Sequence, residues 1–158
     1  MKLHFENRLF GAALRRCGQN IRPTMLLLAG LTDDYAHDGR ALVEALTDSA
    51  LPKSLRGINE LEFLALSVAY KQINAPVGLL GAQSLAASTQ ALAGDDATYA
   101  SIEGKIAALT TERDALATTM LKIIEDAEFN GKPLDSKLGL KLVVQAGELI
   151  AKAARLTR

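Results

Sequence analysis

The residues of this chain that could do chemistry together fall in one short run: Asp33, Asp34, Tyr35, Ala36, His37, Asp38 and Gly39. Carboxylates and an imidazole this close can hold a divalent metal, and His37 beside Asp38 could serve acid–base work. Asp34, His37 and Asp38 are the metal candidates. Acids ahead of a helix also serve as caps and answer the helix dipole, and the spacing follows no fixed ligand pattern. The structural reading is favoured, and no catalytic residue is assigned. Other reactive side chains are scattered. His4 stands alone in the sequence. Cys17 follows Arg15 and Arg16, which would lower its pKa, but it has no partner histidine in a recognisable motif. As the single cysteine it excludes an internal disulfide and a cysteine-based zinc site. Ser84, Ser88 and Thr89 sit in helical sequence without a nucleophile elbow or a phosphate loop.

The elements that must position these residues read as helix after helix. Pro23 can open a short apolar helix through Met25, Leu26, Leu27 and Leu28, with Gly30 as its left-handed stop. Asp38 or Gly39 can cap a helix running to about Leu46, buried through Leu42, Val43 and Leu46. Thr47, Asp48, Ser49 and Pro52 break it, and 52–56 reads as a short helical turn. Asn59 is a good N-cap for a helix to about Asn74, with Leu61, Phe63, Leu64, Leu66, Val68, Ala69 and Ile73 as its apolar positions. A helix over 76–92 follows, carrying Val77, Leu80, Leu85 and Leu92. Gly78 and Gly81 imply either close backbone approach or irregular first turns.

The longest helix spans 96–129. Tyr99, Ile102, Ile106, Leu109, Arg113, Leu116, Met120, Ile123 and Ala127 repeat at spacings of three and four, a heptad stripe that implies packing along another helix. Arg113 is its polar member, expected to snorkel or to pair with Glu112 or Glu125. The Glu112–Arg113 and Glu125–Asp126 groups read as the solvated face. After the turn Asn130, Gly131, Lys132, Pro133, a capped helix over 135–157 carries Leu138, Leu142, Ala146, Leu149, Ala153 and Leu156. So short a connection predicts an antiparallel hairpin, 96–129 against 135–157, with Ala146, Gly147, Ala153 and Ala154 admitting close approach. The fold class is all-α: short N-terminal helices, then a bundle ending in that hairpin.

Composition agrees. The 158 residues are 49% hydrophobic but only 4% aromatic, so Ala and Leu supply the apolar mass, which favours helices over strands. Basic and acidic residues number 18 each, which points away from nucleic acid and polyanionic partners. The longest apolar run, 25–31, is far short of the roughly 20 residues a transmembrane helix needs. Residues 1–18 lack the continuous apolar stretch of a secretory signal and read as a short amphipathic terminal helix.

The string IRPTMLLLAGLTDDYAHDGRALVEAL, beginning at Ile21, resembles the end of the catalytic domain in alkaline phosphatase superfamily enzymes. There a Pro-Thr helix closing on Gly is followed by a loop and then Asp-Gly-Arg. Pro23, Thr24, Leu26, Gly30, Asp38, Gly39 and Arg40 match as they stand. The segments LSVAYKQINAPVG, ASTQALA, DDATYASIEGKIAALTTERDALA and the closing helices are similar to a helical extension in one bacterial phosphoesterase-like branch. The resemblance implies a metal-dependent hydrolase of phosphoric esters, with two zinc ions, a Thr or Ser nucleophile and a large α/β domain. This sequence departs from it where the activity would lie. The stretch before the helix, Cys17 to Asn20, holds no histidine, and neither the nucleophile nor its α/β core has a counterpart. Thr24 matches a helix position, not the nucleophile. No catalytic, cofactor or metal position of the family is carried onto this chain.

The organisation expected is an unassigned helix at 1–20, a remnant of the end of a catalytic domain at 21–46, and a helical extension at 47–158. A reading frame that begins inside a longer gene would explain it. The function expected is that of a non-catalytic C-terminal part of a phosphoester hydrolase-like protein, packing on the missing catalytic domain. The alternative is a stand-alone interaction module that self-associates through the stripe from Ile102 to Ile123. Members of the family are mostly exported, but this chain carries no signal, so its compartment is left unassigned.

Overall fold

The computed structural model describes residues 18–35 and 37–157, so the terminal helix expected at 1–20, with His4 and Cys17, falls almost wholly outside them. The described residues form an all-helical fold without strands. Helix α1 (Gly18–Ala29) is followed by two single 3-10 turns, Val43–Ala45 and Lys53–Leu55. Four longer helices then make a bundle: α2 (Ile58–Asn74), α3 (Leu79–Ala91), α4 (Asp96–Glu128) and α5 (Ser136–Ala154). No described helix is long and apolar enough to cross a membrane.

The helix ends follow local chemistry. Asp95 accepts the Thr98 N–H at 2.8 Å, and Asp135 accepts from Lys137 and Leu138 at 2.9 and 3.1 Å, so each carboxylate satisfies first-turn donors of its helix. α2 instead starts after Gly57 at φ +69°, with Asn59 already inside its first turn. The 33 residues of α4 extend roughly 50 Å at 1.5 Å per residue.

The core is one cluster. α2 contributes Phe63, Leu66, Tyr70 and Ile73, and α5 contributes Leu142, Ala146, Leu149 and Ala153, each at spacings of three and four. α4 adds Leu109, Ala117, Met120, Ile124 and Ala127. Leu27 of α1, with Ala41, Val43, Leu51 and Leu55 from the 3-10 region, belongs to the same cluster. The 21–46 segment and the later helices therefore share one hydrophobic core.

Several sequence expectations change. The helix expected from Asp38 or Gly39 to Leu46 is a single 3-10 turn, because Leu42 stands at φ −90°, ψ 68°, outside the helical region, with its N–H donated to Thr24 of α1. Pro23 lies inside α1, not at its start. On α2, Leu61 and Val68 face solvent. α3 turns Val77, Leu85 and Leu92 outward and buries Leu80, Ala87 and Ala91, a small-residue face that seats it closely on its neighbours. Gly78 meets both alternatives posed for it: a Cβ there would stand 2.5 Å from the Gln72 carbonyl oxygen, and regular helix starts only after it. On α5, Leu138 is exposed, as is Gly147, which has open space around its missing side chain.

The stripe on α4 holds where the other helices reach it. Leu109, Met120 and Ala127 are buried, and Leu116 and Ile123 pack on the core. Tyr99, one of its first members, is exposed. Arg113 pairs with Asp114, Nε to Oδ1 at 2.6 Å, not with Glu112 or Glu125. Glu112 instead meets Lys152 of α5 at 2.5 Å.

Candidate functional site

The residues that carry the motif of 21–44 form a clasp between α1 and the segment after the acidic loop. Pro23 has no N–H to offer the Gln19 carbonyl four residues earlier. The backbone at Gly39 covers that carbonyl: a Cβ at 39 would overlap the Gln19 oxygen and stand 2.7 Å from Asn20 Oδ1. Asn20, buried, accepts the Arg40 N–H at 3.1 Å and the Lys71 ammonium at 3.1 Å on the same oxygen. One turn on, Thr24 Oγ1 donates to the Asn20 carbonyl at 2.7 Å and accepts the Leu42 N–H at 3.0 Å. Arg40 then forks onto Glu44 at 2.8 and 2.5 Å. Thr24, Gly39 and Arg40, three of the matched motif positions, hold the chain together here.

The acidic loop is closed on itself. Asp33 takes Arg22 on Oδ2 at 2.5 Å, with His37 Nε2 at 3.1 Å and the Tyr35 N–H at 3.2 Å on Oδ1. Arg22 also lies 5.2 Å from the Tyr35 ring centre, within cation–π range. Partial desolvation raises the Asp33 carboxyl, but the Tyr35 N–H, Arg22 and His37 together hold it below the usual range. Of the metal candidates, Asp34 is exposed, His37 is turned to Asp33, and Asp38 is half-buried. Among the described residues no three His, Cys, Asp or Glu side chains come together to hold a metal ion. The donor set does not fit the zinc pair implied by the resemblance, so no step through zinc is derived.

Beside the clasp is a cavity of about 340 Å³, at the small end of ligand-sized sites. One wall is Pro23 and Leu26 of α1 with Asp33, Tyr35, His37 and Arg40 of the loop; the other is the end of α4, with Leu121, Ile124, Glu125 and Glu128, and the two residues that follow it. Tyr70 of α2 also lines it. The Tyr70 hydroxyl donates to the His37 carbonyl at 3.0 Å and accepts from Asn74 at 2.9 Å. Burial, then the Asp38 and Glu125 charges, push its pKa up to about 12, so it stays a phenol.

Glu128 is different. It is 8% exposed, lines the cavity, and its Oε1 has no hydrogen-bond partner. Burial, and then the neighbouring Glu125 carboxylate, push its pKa up to about 8. Two residues earlier, Asp126 is pulled down to about 2 by Asn130, Lys132 and Lys122. Opposite sides of one helical turn thus keep one acid ionised and the other protonated at neutral pH. The Ser54 hydroxyl, donating to the Ala127 carbonyl at 2.5 Å, pins this last turn of α4 to the 3-10 region.

Sequence reasoning placed Glu125 and Asp126 on a solvated face and did not single out Glu128. The available signal was its spacing from Ala117, Met120 and Ile124, which puts a carboxylate on a buried stripe. Ser88 and Thr89 take structural roles, Ser88 donating to Glu103 of α4 at 2.6 Å and Thr89 to the Leu85 carbonyl at 2.8 Å. Compared with protein-family profiles, curated proteins and solved structures, the chain matches none.

Proposed function

We propose that this chain is the non-catalytic C-terminal helical part of a phosphoester hydrolase-like protein, and that α1 docks it on the catalytic domain. The observation that carries the reading is the outer face of α1. Ile21, Met25 and Leu28, at i, i+4 and i+7, are 56%, 60% and 47% exposed, and Leu31 just beyond is 59% exposed. The same helix is fixed from its other side by Asn20, Pro23, Thr24 and Leu27. A contiguous apolar face on an anchored helix is what an interaction surface looks like. It lies on the segment that resembles the end of a phosphatase-like catalytic domain. The structural roles of Thr24, Gly39 and Arg40 fit a part that supports chemistry elsewhere.

The reading is tested with the purified chain and bis(p-nitrophenyl) phosphate, with and without zinc, where hydrolysis at background is expected. Zinc-dependent turnover lost in His37→Ala would overturn it. Binding of a hydrophobic dye should fall in Met25→Lys/Leu28→Lys. The second reading, self-association through the stripe from Ile102 to Ile123, must use a helix face whose Leu109 and Met120 are already buried within the chain. A dimer abolished by Ile102→Lys/Ile106→Lys but kept by Met25→Lys/Leu28→Lys would put that reading in place of ours.

A further inference from the structure

A carboxylic acid removed from water and left without a partner is a costly arrangement, and native structures keep it where something else completes it. Glu128 is in that position at the wall of the cavity, with Glu125 one turn back on the same helix and also lining it. The positive groups on the facing wall are already matched. Arg22 and His37 engage Asp33, and Arg40 engages Glu44 through both guanidinium nitrogens. No hydrogen bond or ion pair to the Glu125 carboxylate occurs among the described residues. The acids of the cavity without a positive partner are therefore the two at the end of α4. That wall also presents Leu121, Ile124 and Phe129, with Asn130 at its end and Tyr70 across from them.

Two acids against aromatic and aliphatic surface select a cation that carries an apolar body. A bare divalent ion would need a third donor, and the described residues bring no such trio together. We propose that this cavity binds a small organic ammonium ion, held by the Glu125 carboxylate and by Glu128, which releases its proton to solvent as the cation enters. The site does not depend on the docking of α1, whose exposed stripe lies on the opposite side from Pro23 and Leu27.

The experiment is a titration of the full chain, followed by NMR chemical shifts, with n-butylamine and tetramethylammonium as cations and 1-butanol as the neutral control. We expect saturable shifts in resonances of Glu125, Glu128, Phe129 and Tyr70 for at least one cation and none for 1-butanol. Glu128→Gln keeps shape and folding, checked by circular dichroism, and should weaken binding at least tenfold. Glu125→Gln, at an exposed position, is the second variant and should weaken it several-fold. The two cations separate a primary-amine site from a quaternary one. Binding of 1-butanol as strong as that of n-butylamine, cation binding unchanged in both variants, or no saturable shift with either cation would each overturn the proposal.

Discussion

Two polar regions of this molecule border the same cavity and are built on opposite terms. In the clasp the side chains of Asn20, Thr24 and Arg40 each have partners. Asn20 and Thr24 project from α1 one turn apart and answer the N–H groups of Arg40 and Leu42, which have no helix of their own to use. At the end of α4, Glu128 is as deeply buried as Asn20 but has an oxygen with nothing to bond. Burial alone therefore does not say what a polar side chain is for. A satisfied one fixes geometry, and an unsatisfied one marks a place where protons or ligands exchange.

The largest expected effect breaks the second region. The Glu128 carboxyl has a pKa of about 8 in the folded protein against 4.5 for the free side chain. Between those values the native state holds a proton that the unfolded chain releases, so stability falls as pH rises through this window. The contribution is fully present below about pH 4.5 and gone above about pH 8, a loss on the order of 4 kcal/mol. Glu125 on the same helix and Asp33, His37, Arg40 and Tyr70 across the cavity share that field. Urea midpoints from pH 5 to 9 should show the decline, and Glu128→Gln should flatten it.

Next comes the clasp. Gly39→Ala forces a methyl group into the Gln19 carbonyl, which is backbone and cannot step aside. We expect a loss of about 2–4 kcal/mol by chemical denaturation at any pH. If the loss stays under about 0.5 kcal/mol, the close approach of α1 and the loop is not a packing constraint. Asn20→Ala removes the acceptor shared by Arg40 and Lys71 and should cost about 2 kcal/mol, read by the same denaturation, with faster amide exchange at Arg40. The smallest effect belongs to the outer face of α1. Met25→Lys/Leu28→Lys should change stability by no more than about 0.5 kcal/mol, because neither side chain is buried in this chain, while its hydrophobic-dye binding drops.

The sequence was most legible where one or two neighbouring residues decide the outcome. The cap of the helix over 135–157 was recognisable, and the turn at Asn130 to Pro133 as a break, because the groups they serve are within three or four positions. The stripe on α4 could be read from its period. The faces of α2 and α3 were less legible. Leu61, Val77, Leu85 and Leu92 are apolar enough to be buried, yet the bundle covers other sides of their helices, including one made only of Leu80, Ala87 and Ala91. Hydrophobicity says that a residue can be buried, and only the neighbours say whether it is.

By itself, then, the sequence determined an all-helical chain and the places where its long helices begin and end. Those depend on propensity, capping and punctuation, which act over a turn or two. The tertiary structure decided that 38–46 is not a helix, since Leu42 is held outside the helical region with its N–H on Thr24, eighteen residues away. It also decided that Asp34, His37 and Asp38 do not gather as a site, while a glutamate at the end of α4 lines a cavity that only His37 of the three reaches. Protonation and pairing follow from which distant groups share a low-dielectric space, and only the folded chain brings those groups together.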